Sequence, residues 1–274
     1  MMSNLDVSAI QEPLTGLAVS RLDKLEVFSS IASTNTHLLA QPAPAAGRFC
    51  VAVADYQTAG RGRHDRDWIS APGAGLCLSF SYTFGVMPAQ LPALTLAIGV
   101  GVIAALHELG VVGVSLKWPN DIVALDGKLG GILTETQSAG GGPATVVTGI
   151  GINLHNSEQL DFGAESDWAQ RPVDLHSLQE EIPARELLAA TIIDHLYSTF
   201  SKFEASGFAA FAADWRLHDW LHDKEITVDM PETQLTGIAA GVDEDGALLV
   251  DNEYGRTRVI SGSIVLAGPA GARQ

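Results

Sequence analysis

A short hairpin signal near the middle of the chain constrains the fold more than any other feature. Asp126-Gly127 lies between two strand-like runs, residues 122–125 and 128–133. An Asp-Gly pair in this setting is among the strongest local signals for two antiparallel strands joined by a two-residue turn. We therefore expect Lys128 to be the first residue of the returning strand, held on a rigid element.

Other β-like and helical runs surround this hairpin. Runs rich in Val, Leu, Phe and Tyr predict strands, and apolar residues at helical spacing predict helices. The predicted strands cover residues 25–28, 49–54, 76–82, 114–118 and 145–154, and the predicted helices begin at Ser33-Thr34-Asn35 or cover 91–109, 184–205 and 207–221. From residue 224 onward only short β-runs separated by turn residues follow, as in a small barrel.

These patterns predict the fold class and the division into domains. The class is α/β of the α+β type, with a mixed central β-sheet and helices, plus a small C-terminal β-barrel. We expect a flexible N-terminal segment at residues 1–20, a main domain at 21–221 and a C-terminal β-domain at 222–274.

The charge balance limits the class of partner. Thirty-two acidic residues against sixteen basic ones give a net charge of −16, which repels phosphate backbones and anionic membrane surfaces at long range. A general nucleic-acid binder is therefore not expected. Residues 91–109 are apolar enough to raise the question of a membrane span, but Pro92, Gly99 and Glu108 interrupt them, which favours a buried core helix.

The N-terminus and the two cysteines indicate the cellular compartment of the protein. Residues 1–19 lack the basic start and compact apolar stretch of a secretory signal. Cys50 and Cys77 each lie in an apolar run, which indicates reduced core residues. We expect a cytoplasmic protein.

A loop at residues 57–68 concentrates positive charge. Arg61, Arg63 and Arg66 are three of only sixteen basic residues, within six positions and beside glycines. Glycines let backbone amides approach an anion, and guanidinium groups suit phosphate or carboxylate, so the loop is typical of an anion clamp. Taken alone, a solvated surface loop is the better interpretation of a bare Gly-Arg-Gly-Arg sequence.

Three further motifs contain residues suited to ligand binding. Lys128 on the hairpin can place a point charge with little entropy cost, with Gly130 and Gly131 leaving room for a ligand, although an exposed strand end is an equal alternative. Residues 149–153 form a strand with alternate glycines, which by itself indicates only tight packing. Ser33-Thr34-Asn35 suits a polar ring or a carboxylate, with plain helix capping as the alternative.

Taken in order, the motifs closely resemble the biotin–protein ligase family, which includes biotin–[acetyl-CoA-carboxylase] ligases. They are STN at 33–35, ADYQTAGRGR at 54–63, KWPND at 117–121 with KLGGIL at 128–133, and GIGIN at 149–153. The resemblance covers residues 25–155 in detail. It implies a catalytic domain at 21–221 that binds biotin and ATP, followed by an SH3-like barrel.

The resemblance also implies roles for individual residues. Lys128 and Arg63 would act on the phosphate, and Asp121 would help to deprotonate the incoming lysine. The residues implied for biotin are Ser33, Thr34, Asn35, Gln57, Arg61, Gly62, Arg63, Lys128, Gly130, Gly131, Gly149 and Gly151. Those implied for the nucleotide are Arg63, Arg66, Trp68, Asn120, Lys128 and Asn153.

The implied activity has two steps and defined partners. Biotin and ATP with Mg²⁺ would form biotinyl-5′-AMP, and biotin would pass to a lysine of the biotin carboxyl carrier domain of an acyl-CoA or pyruvate carboxylase. We expect no metal site in the protein and no DNA or membrane partner. The oligomeric state would be a monomer or weak homodimer. Only about thirty residues precede Ser33, too few for the DNA-binding domain that some members carry.

Two functions other than a biotin–protein ligase stay open, and so do the roles of two residues. A lipoate–protein ligase would share the architecture, although Ser33-Thr34-Asn35 and Gln57 suit a ureido ring better than a dithiolane. A non-catalytic biotin sensor is the other alternative. Asp65 occupies a position that is usually glycine in the family. Trp168 is a candidate to stack on adenine, although an exposed or packed tryptophan is the better interpretation.

Overall fold

Two β-sheets and seven helices are described in this computed structural model, which covers residues 5–138, 143–155, 172–231 and 233–266. The helices are α1 Val7–Gln11, α2 Gly16–Arg21, α3 Thr34–Leu39, α4 Leu94–Glu108, α5 Leu175–Leu178, α6 Arg185–Ser206 and α7 Ala212–His218. The strands are β1 Leu22–Phe28, β2 Phe49–Ala54, β3 Gly75–Phe84, β4 Val114–Lys117, β5 Asp121–Ala124, β6 Gly127–Ser138, β7 Ala144–Asn153, β8 Glu225–Met230, β9 Thr233–Val242, β10 Leu248–Asn252, β11 Gly255–Val259 and β12 Ser263–Leu266.

The large sheet has seven strands in the order β1-β2-β3-β7-β6-β5-β4. β1 and β2 run parallel, and the other neighbouring pairs run antiparallel. The second sheet is antiparallel, in the order β11-β10-β9-β8-β12. The predicted fold class is therefore confirmed, although no pairing among the described residues closes the small sheet into a full barrel. The domain boundaries stay a prediction.

The side chains of β2 divide the large sheet into two faces. Val51 and Val53 point to the main core with α4 and α6, whereas Ala52 packs in a smaller cluster with Leu38 of α3. This alternation follows from the period of two along a strand. The polar motifs at α3 and the glycines of β7 share the smaller face.

Helix α4 is the predicted core helix. Residues 91–108 are long and apolar enough for a bilayer by length and composition, but 67% of this window is buried inside the protein. Its buried residues lie on more than one face of the helix, among them Leu96, Ile98 and Val100. Burial between the sheet and α6 explains why the sequence there is apolar all round.

Residues 7–20 differ from the loose N-terminal segment that we expected. Asp6 and Thr15 cap the short helices α1 and α2, and Ile10 and Ala18 are fully buried. The Thr15 backbone N–H and Oγ1 donate to the Asp194 carboxylate of α6 at 3.0 and 2.9 Å. Helices this short leave little periodicity in the sequence, and their stability comes from docking on α6.

The hairpin turn lies one residue earlier than predicted. Leu125 and Asp126 are its central residues, with φ of 48° and 54°. Gly127 is the first residue of β6, opposite Ala124, and Lys128 is the second. The Trp220 indole N–H donates to Asp126 Oδ1 at 3.3 Å, so a contact distant in sequence helps to hold the turn in this register.

Candidate active site

The polar cluster at the start of α3, Ser33-Thr34-Asn35, is hydrogen-bonded to the arginine-rich loop at residues 57–68, called the arginine loop below. Ser33 caps the helix, its Oγ accepting from the Thr36 N–H at 3.4 Å. The Thr34 N–H and Oγ1 both donate to Gln57 Oε1, at 2.8 and 3.0 Å. These bonds confirm the predicted helix start and bring residues from two separate motifs together.

Asn35 connects this cluster to two residues that the motifs did not identify. Its Nδ2 donates to Glu135 Oε2 at 2.9 Å, and Ser79 Oγ lies 2.6 Å from Asn35 Oδ1 and 2.7 Å from Thr34 Oγ1. The alternation of side chains along β3 and β6 is the signal that could have placed Ser79 and Glu135 on this face.

The arginine loop is folded back on itself. Arg61 and Asp67 form an antiparallel bridge, and the Gly62 N–H donates to the Arg66 carbonyl at 2.6 Å. The Arg61 guanidinium lies 3.0 Å from Glu135 Oε1. The loop thereby lies against β6, with Arg61 beside the carboxylate that also accepts from Asn35.

Arg63 points towards the KWPND turn. Its Nη1 lies 3.5 Å from Asn120 Oδ1, and Arg66 Nε donates to the Arg63 carbonyl at 3.3 Å. Burial lowers the pKa of Arg63, while nearby Asp121 opposes that shift and Arg66 adds to it. A partly desolvated guanidinium of this kind binds an anion more strongly than one in water.

The left-handed residue of the loop is His64, with φ of 55° and ψ of 43°. The family resemblance drew attention to Asp65 instead, whose side chain lies outside the described part of the chain. A residue with a β-carbon is strained at positive φ by about 1 kcal/mol. The glycine-like backbone position is therefore one residue earlier than the motif comparison indicated.

Lys128 and Asp121 form an ion pair on neighbouring strands. The distance from Lys128 Nζ to Asp121 Oδ1 is 2.6 Å, and Asp121 is only 7% exposed. The structure thus brings together two of the three residues that were predicted to be catalytic. The third, Arg63, contacts Asn120 in the adjacent turn.

Trp68 lies on the glycines of β6 and β7. A β-carbon added to Gly151 would come within 2.4 Å of the indole, and one added to Gly131 within 3.4 Å. Lys128 Nζ lies 5.9 Å from the ring centroid. A β-carbon at Gly149 would instead lie 2.7 Å from Asn35 Oδ1, so these three glycines leave space on the site face of the sheet.

Gly130 does not leave room for a ligand, contrary to our expectation. An added β-carbon would lie 2.5 Å from the Gly151 carbonyl oxygen and 3.3 Å from the Ile122 side chain. This glycine permits close approach of β7 to β6 on the core side.

The two predicted nucleotide-binding asparagines hold backbone segments. Asn120 Nδ2 donates to the Ile132 carbonyl at 2.8 Å. Asn153 Nδ2 donates to the carbonyls of Val173 and Lys128, at 3.0 and 3.3 Å. Their contacts with a nucleotide stay a prediction, and Trp168 lies outside the described residues.

The His, Cys, Asp and Glu residues of the described ranges do not cluster as metal ligands. No group of three or more His, Cys, Asp or Glu that could hold a metal ion occurs there.

A cationic loop, three glycines on the site face and a lysine–carboxylate pair thus lie together on one mixed sheet. The sequence model of the Biotin/lipoate A/B protein ligase family matches residues 27–153. That of the Biotin protein ligase C terminal domain matches residues 221–267. This chain belongs to the biotin–protein ligase family.

Individual relatives agree with this assignment. The chain is 33% identical over 269 residues to the biotin–[acetyl-CoA-carboxylase] ligase of Mycobacterium tuberculosis, covering 96% of this chain and 95% of that protein. It is 35% identical over 239 residues to the bifunctional ligase/repressor BirA of Salmonella typhimurium, covering 85% of this chain and 72% of that protein.

A solved structure has the same fold. Biotin protein ligase from Aquifex aeolicus, in complex with biotin and ATP, superposes with a TM-score of 0.72 and 26% identity. The match covers 89% of this chain and 99% of that one.

Proposed function

We propose that this chain activates biotin with ATP to form biotinyl-5′-AMP and then transfers biotin to one lysine of a biotin carboxyl carrier domain. The chain is an ATP-dependent biotin–protein ligase. The observation that carries the proposal is the Lys128–Asp121 pair, 2.6 Å apart, at the edge of a face that also contains the arginine loop and the α3 cluster.

In the first step the carboxylate oxygen of biotin attacks the α-phosphorus of ATP, and the bond to pyrophosphate breaks. Two anions must approach each other, so cationic donors supply most of the catalysis. Lys128 and Arg63 take this role. The adenylate is a reactive mixed anhydride, and the arginine loop with Trp68 would exclude water from it.

In the second step the amine of the carrier lysine attacks the acyl carbon, and the bond to AMP breaks. The amine must lose a proton as the amide forms. Asp121 is the buried carboxylate of the site and is held in place by Lys128, so we assign proton acceptance to it.

The proposal also covers the metal ion, the acceptor protein, the compartment and the oligomeric state. ATP would be used with Mg²⁺, and the acceptor would be the carrier domain of an acyl-CoA or pyruvate carboxylase. The net charge of −16 supports a protein without a DNA or membrane partner. Free cysteines at 50 and 77 are consistent with a reducing cytoplasm. The oligomeric state would be a monomer or weak homodimer.

The decisive experiment is incubation with biotin, MgATP and an isolated carrier domain, followed by intact-mass spectrometry. We expect one biotinyl group per carrier, and none on a carrier whose acceptor lysine is replaced by arginine. Absence of the adduct with wild-type enzyme and intact carrier would overturn the proposal.

The two alternatives are separated in the same assay. A lipoate–protein ligase would support ATP–pyrophosphate exchange with lipoate rather than with biotin. A non-catalytic biotin sensor would bind biotin without releasing AMP in a single turnover.

A further inference from the structure

Lys117, the first residue of KWPND, has a position that the assigned roles do not explain. It ends β4, is only 3% exposed, and lies directly opposite Asp121 in the β4–β5 register. Side chains opposite each other in an antiparallel pair are close neighbours. Asp121 therefore lies between Lys117 and its ion-pair partner Lys128.

The same residue reaches the C-terminal sheet. Lys117 Nζ donates to the Ile264 carbonyl of β12 at 3.4 Å and lies 5.9 Å from the Trp220 ring centroid. The neighbouring Trp118 indole N–H donates to the Gly246 carbonyl at 3.0 Å. The first two residues of KWPND thus contact the C-terminal domain, and the last residue of the motif is Asp121.

Docking of the two sheets by itself does not require a buried charge. A buried ammonium group pays a desolvation penalty, and Trp118 makes an equivalent contact with a neutral donor. What distinguishes Lys117 from Trp118 is an amine on the residue opposite Asp121. The basicity of a carboxylate is sensitive to charge on a neighbouring side chain.

We propose that Lys117 is a positioning residue that couples the C-terminal sheet to the Lys128–Asp121 pair and sets the basicity of Asp121 during transfer. This inference rests on the proposed function. In the step concerned, the carrier amine attacks the acyl carbon, AMP leaves, and the amine proton passes to Asp121. Lys117 acts only through Asp121.

The ionisation of Lys117 provides a readout that simple docking would not affect. Burial lowers the pKa of Lys117 to about 7; Asp121 on β5 opposes the shift, and Lys128 on β6, Arg66 of the loop and Lys224 before β8 add to it. The amine is cationic below this pKa and neutral above it. Loss of the positive charge as pH rises makes the Asp121 carboxylate a stronger base.

The test is single-turnover transfer from preformed biotinyl-AMP between about pH 6 and about pH 8.5, for wild type and Lys117→Arg, because arginine stays charged throughout. Ionisation of the acceptor lysine is common to both enzymes and cancels in their rate ratio. We expect the ratio of wild type to Lys117→Arg to rise roughly three- to tenfold across this range. A constant ratio would overturn the proposal.

Two further variants test whether misfolding or the loss of a contact with the C-terminal domain explains the pH dependence of the rate ratio. Lys117→Met cannot titrate either, so its ratio to Lys117→Arg should stay constant while wild type rises against both. Trp118→Phe removes the contact with Gly246 but keeps Lys117, and its ratio to wild type should be independent of pH. A pH-dependent ratio for Trp118→Phe would assign the effect to docking and contradict the proposal.

The proposed function is judged separately in this experiment. Failure of wild type to biotinylate the carrier would count against the function itself. Normal biotinylation with a flat wild-type to Lys117→Arg ratio would count against the role of Lys117 alone.

Discussion

Arg61 and Glu135 form an ion pair of 3.0 Å that joins the arginine loop to strand β6. The same carboxylate accepts from Asn35 Nδ2 at 2.9 Å. Glu135 therefore connects the loop to the polar cluster at α3, and it contacts two of the residues implied for biotin, Arg61 and Asn35.

We expect Glu135→Gln to raise the KM for biotin while leaving kcat within about twofold. The Arg61 side chain is 44% exposed, and exposed pairs contribute about 0–1 kcal/mol, so the increase in KM should be at most about fivefold. Steady-state kinetics provide the measurement, with Asp251→Asn in the exposed Arg256 pair of the C-terminal sheet as control. An unchanged KM would show that this pair does not hold the loop.

Lys128→Ala should reduce biotinyl-AMP formation by roughly 10²- to 10³-fold, the usual effect of removing one donor from a site of developing charge. ATP affinity should fall much less, because the charge acts mainly in the transition state. Pyrophosphate exchange and calorimetric ATP titration measure the two quantities. Lys202→Ala on α6 is the control, and equal losses of exchange and ATP affinity would argue against the assignment.

Gly151→Ala should displace Trp68, because the new β-carbon would lie 2.4 Å from the indole. Forced repacking of this kind costs roughly 1–3 kcal/mol, which corresponds to about a five- to hundredfold loss in biotinyl-AMP formation. Gly16→Ala, where nothing lies within 4 Å, is the matched control and should behave as wild type. Full activity of Gly151→Ala would mean that the Trp68 position is unimportant for the reaction.

His64→Gly should slow release of biotinyl-AMP by less than about tenfold, because it relieves about 1 kcal/mol of left-handed strain in the folded loop. The greater flexibility of glycine in an open loop returns part of that gain. Stopped-flow dissociation is the measurement, with Asp65→Gly as the comparison that should change the rate less. Faster release from His64→Gly would contradict this account.

Much of the fold follows from local chemistry that the sequence contains. Ser33 caps α3 through its own side chain, and β2 has the bounds of its apolar run. Such features involve neighbours a few residues apart, so their patterns are visible without any tertiary contact. The ordered motifs likewise identified the family.

Tertiary structure alone decided the parts that depend on distant residues. The hairpin turn falls on Leu125 and Asp126, where Trp220 contacts it, rather than on Asp126-Gly127. The second turn residue is held by a side chain from 94 residues further along the chain, which no local pattern encodes.

The residues of the site also divide into those that the sequence identified and those that only the tertiary structure placed. The residue types needed for an anion site, Arg63 and Lys128 among them, were evident from their rarity and their glycine neighbours. That Glu135 would hold the loop, and that Lys117 would lie between the C-terminal sheet and Asp121, depended on strand order and register. These arrangements arise when seven strands pack in an order different from their order in sequence, and only the folded sheet brings those side chains together.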